Sequence, residues 1–218
     1  MPAMLRLTED TFSNGAALAL PAAARFIIVV HGSVTIAERA LGDGEAWQSE
    51  GAVRLTAGKA GATCWRFDLL SGAAADATAP GVTSREKLAA RLETLPQGEL
   101  LLRGDSVGFP PGGCAYLHRH QGPGIRCLIE GGIRIDTHGR STSYGPGSAW
   151  YETGPDPVFA QAAADRPSRF IRVMLLPRAL LGKSSIEYVN AADKEKPRVQ
   201  QYKIFADIPI ARPADEAS

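Results

Sequence analysis

A duplication constrains this chain more than any other feature, because it fixes the size of the folding unit before any element is assigned. Arg25–Ile36 (RFIIVVHGSVTI) lies over Gly124–Ile135 (GIRCLIEGGIRI) at an offset of 99 residues, each an apolar run, a glycine and a second alternating run. Gly42–Trp47 (GDGEAW) lies over Gly145–Trp150 (GPGSAW) at an offset of 103, and Cys64–Leu70 (CWRFDLL) over Phe170–Leu176 (FIRVMLL) at 106, with Arg66 on Arg172. The offset grows only between blocks, so the additional residues of the second copy fall in loops, where insertions are tolerated. The chain reads as two copies of one domain.

Each copy is built from strands. Runs such as FIIVV and SVTIA in the first copy, and IRCLIE and GIRID in the second, are short, rich in β-branched residues and separated by glycine-bearing turns. AVRL after Gly51 and PVFA after Gly154 continue the match. Even spacing of short strands predicts an all-β, antiparallel sandwich or barrel for each copy. Between the copies the small residues of Ser71–Pro80 lead into Thr83–Leu95 (TSREKLAARLETL). Thr83 and Glu86 have capping-box spacing, and Leu88, Leu92 and Leu95 share a helical face, which predicts one amphipathic helix that either packs on a barrel or only spaces two domains. After Leu176 the repeat ends; a polar segment (DKEKPR) precedes a strand-like Gln201–Ile208, with Tyr202, Ile204 and Ala206 to one side. That strand could extend a sheet, cross to the other copy or mediate a homodimer.

Composition removes several partners. Twenty-four basic residues against twenty-three acidic ones give no reason to expect nucleic acid or an anionic membrane. Apolar runs such as Phe26–Val30 are too short to span a bilayer, and Glu9 and Asp10 ahead of GAALALPAAA argue against a signal peptide. Cys64, Cys114 and Cys127 lack metal or redox spacing and read as small hydrophobes in a reducing, cytoplasmic setting.

Chemistry concentrates between Gly112 and Gly131 (GGCAYLHRHQGPGIRCLIEG). On a strand, His118 and His120 share a face, so their imidazoles converge as a pair of metal ligands or as hydrogen-bonding groups lining a cavity. This stretch resembles the first motif of the cupin superfamily: Gly112, His118, His120 and Gly131 fall on their places, while Gly124 occupies the place of the glutamate. Gly147–Val158 (GSAWYETGPDPV) resembles the second motif with its histidine absent, Val158 standing there. In the first copy Ala19 and Pro21 take the places of the histidines. The resemblance implies a bicupin: two tandem cupin-like antiparallel β-barrels of the jelly-roll (double-stranded β-helix) type, joined by a linker with a short helix. It gives residues 1–76 as an N-terminal barrel without ligands, 77–98 as the linker, 99–176 as a C-terminal barrel with the site, and 177–218 as an extension.

Members of that superfamily hold a divalent metal, here iron, manganese, nickel or zinc, through three histidines and one glutamate. With two imidazoles present, Glu152 is the best candidate for a third ligand, unless it pairs with Arg126 or Arg172; Gln161, Tyr116, Tyr151 and His138 are weaker. Tyr116, Arg126 and Trp150 are the candidates for contact with a small-molecule substrate, although the matched places of Trp47 and Trp150, and of Arg66 and Arg172, favour roles in the fold. Three functions follow: a metal-dependent enzyme, with a dioxygenase the commonest case in the resemblance; a non-catalytic barrel for a small apolar or weakly acidic ligand; and an assembly protein.

Overall fold

The computed structural model describes residues 3–71 and 77–213. The small-residue stretch after Ser71 and the end of the tail lie largely outside the described residues. The chain forms two compact units, residues 1–93 with 210–218, and residues 94–209.

The first unit carries β1 (Ala3–Phe12), β2 (Ala17–Leu20), β3 (Ala24–Ile36), β4 (Arg39–Leu41), β5 (Ala46–Ser49), β6 (Val53–Ser71) and β7 (Val82–Arg91). They form one antiparallel seven-stranded sheet in the order β4-β3-β6-β1-β7, with β2 added to β6 and β5 to β3. β3 and β6 pair antiparallel, and their register shifts on either side of Gly32, next to Gly61 on β6. Both glycines have positive φ, and a Cβ on Gly32 would lie 2.3 Å from the Gly61 carbonyl oxygen, so only glycine permits the approach. Phe12, Leu18, Leu20, Ile27, Val34, Ile36 and Leu55 fill the interior.

The helix expected over 83–95 is absent, and that part of the linker is a strand. β7 pairs antiparallel with β1 from Val82 opposite Phe12 to Arg91 opposite Met4. Helical spacing is a local preference; an open sheet edge satisfies the same backbone groups and adds cross-strand partners. Here Arg85 and Lys87 both reach Glu9, and Ser84 donates to Asp10. The first unit therefore runs through most of the stretch read as linker.

The second unit continues with β8 (Leu100–Phe109), β9 (Cys114–His120), β10 (Gly124–Glu130), β11 (Ile133–Thr137), β12 (Arg140–Tyr144), β13 (Ala149–Glu152), β14 (Val158–Ala162), β15 (Ser168–Pro177), β16 (Ile186–Tyr188) and β17 (Gln201–Ile210). Two five-stranded antiparallel sheets result, β13-β10-β15-β8-β17 and β12-β11-β14-β9-β16. The tail thus extends both sheets, β16 lying beside the histidine strand and β17 beside β8. One end of the interior is apolar, with Trp150 edge-on to Phe170 at 5.3 Å and stacked with Tyr144 at 4.8 Å. The other end is polar. No helix among the described residues is long and apolar enough to cross a membrane, and the three cysteines form no disulfide.

Candidate functional site

β9 sits between β14 and β16, and a bulge decides which of its side chains turn inward. Ala115 opposes Ala160 and His118 opposes Val158, so Tyr116 and Leu117 together face Phe159 alone. The added residue resets the alternation. Ala115, His118 and His120 consequently point into the barrel, while Tyr116 turns out and lies beneath the Lys196 ammonium at 4.3 Å. Tyr116 is therefore not placed to meet a ligand in the cavity. The first unit has no such bulge: Leu20 opposes Val53, the residue matched to Val158 in the repeat, so the place of His118 belongs to Leu20, one residue beyond Ala19.

The two imidazoles are buried, with ring centroids 4.9 Å apart and planes nearly perpendicular. His118 Nδ1 lies 2.7 Å from the Tyr116 carbonyl oxygen, which requires a proton on Nδ1 and leaves Nε2 with its lone pair. His120 Nε2 lies 3.4 Å from Arg172 Nη1. A guanidinium only donates, so Nε2 accepts, and the proton on Nδ1 points to Ser185 Oγ, 3.3 Å away. Burial lowers the pKa of both rings. For His120 the drop is large, with the Arg172 and Arg126 charges adding to it; for His118 the Glu152 charge opposes it.

Two arginines face the pair. Arg172 on β15 uses Nε and Nη2 as a fork on the Asp105 carboxylate, at 2.9 and 2.6 Å, across the β15–β8 register. Burial alone would lower its pKa, but Asp105 outweighs burial and raises it. Arg126 on β10 is fully enclosed, and burial pulls its pKa down to about 10 despite the Glu152 charge. Its Nη1 donates to the Gly124 carbonyl at 2.7 Å, and Nη2 lies 2.7 Å from Glu152 Oε2 without hydrogen-bond alignment. Glu152 also accepts the Trp150 indole N–H at 2.8 Å. The ion pair expected for Glu152 with a nearby arginine is thus made with Arg126. Trp150 packs in the apolar end as well as lining the cavity. Gln161 turns to the Gly112 carbonyl, and His138 lies exposed beside Asp156.

Gly124 explains why an arginine stands where the resemblance puts a metal-binding carboxylate. A Cβ at Gly124 would come within 2.4 Å of the Val173 carbonyl oxygen and 3.0 Å of Arg126 Nη1. The guanidinium folds over the bare backbone and brings a positive charge to that place. Among the described residues no group of three His, Cys, Asp or Glu is arranged to hold a metal ion. His120 has both nitrogens engaged, Glu152 is committed to Arg126 and Trp150, and only His118 Nε2 keeps a lone pair. This donor set does not fit a resident divalent metal, which needs three or four protein ligands free of competing cations.

Space is divided in two. The interior beside the histidines holds about 20 Å³, room for about one water molecule. A chamber of about 260 Å³ lies outside it, floored by His120, Arg172 and Asp105 and enclosed by Lys183, Arg198 and Tyr202. Arg103 is clasped by Asp207 through Nε and Nη2, and gives its terminal nitrogens to the Lys183 and Leu180 carbonyls. Lys183 and Arg198 have no carboxylate partner among the described residues; Arg198 stacks on Tyr188. None of Asp105, Arg103, Ser185, Lys183, Arg198 or Tyr202 emerges from the sequence reading as a site residue. The signal was Arg103 and Asp105 inside an otherwise apolar run, since a strand buries charge at alternate places only when something pairs it.

No family model and no curated protein matches the chain. Among solved structures it is similar to oxalate decarboxylase of Bacillus subtilis. A tryptophan-to-tyrosine variant of that enzyme gives a TM-score of 0.64 at 14% identity, covering 88% of this chain and 73% of the other. A two-residue deletion mutant gives 0.62 at 14% with the same coverage, and a serine-to-alanine mutant gives 0.59 at 15%, covering 78% and 68%. The Bacillus enzyme has Mn(II) centres. At this identity the likeness is one of fold: the chain has the antiparallel jelly-roll architecture of these cupin neighbours.

Proposed function

We propose that the chain is a bicupin whose second barrel binds a small organic carboxylate, the anion of a weak acid, in the outer chamber, with Arg172 and His120 at the floor. The observation that carries this reading is the surplus of Lys183 and Arg198 over a chamber where Arg172 and Arg103 already have Asp105 and Asp207. A carboxylate entering there gains two charge-assisted partners without stripping either buried fork. His120 is held neutral and donates from Nδ1 through Ser185, so it orients the ligand and does not accept a proton from Ser185. Arg126 and Trp150 line the water-sized inner space and shape its floor.

A second reading rests on one observation. His118 Nε2 keeps its lone pair inside the barrel because Nδ1 is fixed by the Tyr116 carbonyl, the arrangement a metal-bound histidine requires. In that reading the protein is a metal-dependent cupin enzyme, for example a dioxygenase, in which His118, His120 and Glu152 would hold the ion and the ion would supply Lewis-acid chemistry. A dimer through the outer edge of β17 is compatible with either reading.

Elemental analysis of tag-free protein together with calorimetric titration of benzoate separates them. Metal-free protein that binds benzoate, with affinity falling about tenfold in a Lys183→Ala, Arg198→Ala double variant, supports the carboxylate reading. Stoichiometric metal that disappears in His118→Ala, with no benzoate binding, overturns it.

A further inference from the structure

The hydrogen bonds at the floor of the outer chamber all run in one direction. Asp105 accepts from Arg172 Nε and Nη2. The third guanidinium nitrogen, Nη1, can only donate, so His120 Nε2 accepts from it and the ring hydrogen sits on Nδ1. Ser185 receives that N–H, its hydroxyl oxygen 3.3 Å away and its backbone carbonyl sharing the bond. A hydroxyl that accepts still has its own hydrogen to give. That hydrogen cannot return to Nδ1, which is protonated, and Ser185 Oγ has no other hydrogen-bond partner among the described residues.

Ser185 is 4% exposed and lines the chamber, and a buried donor is stabilised by an acceptor brought to it. The charged head of a ligand is not that acceptor. Asp105 belongs to the same floor and repels a carboxylate there, whereas Lys183 and Arg198 stand exposed on the chamber wall without carboxylate partners among the described residues. Between floor and cations the wall is apolar: Tyr202 and Ile204, respectively 48% and 55% exposed, both face this space. The geometry points to an oxo acid as the ligand, its carboxylate on Lys183 and Arg198, its apolar body against Tyr202 and Ile204, and its uncharged carbonyl oxygen accepting from Ser185 Oγ. This assignment rests on the carboxylate reading of the chamber and adds to it the residue that selects among carboxylates.

Phenylglyoxylate and phenylacetate test it, since one has a carbonyl where the other has a methylene. Calorimetric titration of full-length, tag-free protein should show phenylglyoxylate binding about tenfold tighter. In Ser185→Ala that advantage should vanish while phenylacetate keeps its wild-type affinity. In the Lys183→Ala, Arg198→Ala double variant both acids should weaken together, with the advantage retained. Equal affinity of the two acids for the wild-type protein overturns the assignment without recourse to any variant, and leaves the carboxylate reading standing. An advantage that survives in Ser185→Ala overturns it as well. Failure of both acids to bind the wild-type protein overturns the carboxylate reading and the assignment together.

Discussion

The two barrels place the same fork in the same frame and finish it differently. Arg66 on β6 and Arg172 on β15 each grip an aspartate through Nε and Nη2, Asp10 in the first barrel and Asp105 in the second. The remaining nitrogen, Nη1, meets Asp68 in the first barrel and His120 in the second. Two residues along each strand decide this: Asp68 follows Arg66, whereas Met174 follows Arg172. Opposite Arg66 stands Ile27, and opposite Arg172 stands Arg126. One barrel closes its charge network on itself and packs apolar side chains inside. The other leaves a guanidinium nitrogen for an imidazole and keeps a polar interior. Duplicated architecture is therefore compatible with opposite electrostatics when two positions per strand change.

The severest way to break the comparison is to remove the forks. Arg66→Met would leave Asp10 without its arginine at a fully buried place, and Arg172→Met would do the same to Asp105. Urea denaturation should show losses of about 3–5 kcal/mol for each, the first barrel suffering more because Asp68 also loses a partner. Equal losses near zero would mean the forks do not hold the barrels together.

A graft sharpens the comparison. Ile27→Arg puts a guanidinium at the place of Arg126, but Ser49 stands where Glu152 would receive it. The single change should cost about 3 kcal/mol, and adding Ser49→Glu should recover some of it. A double variant no more stable than the single one would show that the matched places are not equivalent.

The smallest effect is in pH. The folded-state pKa of each buried histidine lies below its unfolded value, so between the two values the unfolded chain binds more protons. Stability is then complete above about pH 6.5 and declines as pH falls below it, with a limiting slope of about 1.4 kcal/mol per pH unit for each histidine. The first barrel has no buried histidine and lacks this source of decline. His120→Gln should flatten the acid limb of the second barrel's stability, followed by fluorescence of Trp150; an unchanged limb would show that burial of His120 does not set it.

Strands and duplication were legible because both rest on local periodicity. The helix expected over 83–95 was not, because spacing along one segment carries no information about the open edge of β1 that it joins. The convergence of His118 and His120 follows from residues two apart on a strand, but the bulge before them changes phase without any glycine or proline to mark it. For that reason Tyr116 read as inward and Ala19 as the partner of His118. Asp105 and Arg172 are 67 residues apart, and only pairing of β8 with β15 reveals that they make one unit.

The crowding of β10 against β15 at Gly124 works as a ratchet. With the Val173 carbonyl oxygen 2.4 Å from where a first side-chain carbon would sit, no acidic side chain fits there unless β15 gives way. An engineer wanting to convert this barrel to ion chemistry would have to pry β10 away from β15 and evict an arginine at once, which makes stepwise selection a poor route and wholesale redesign of the strand pair the practical one.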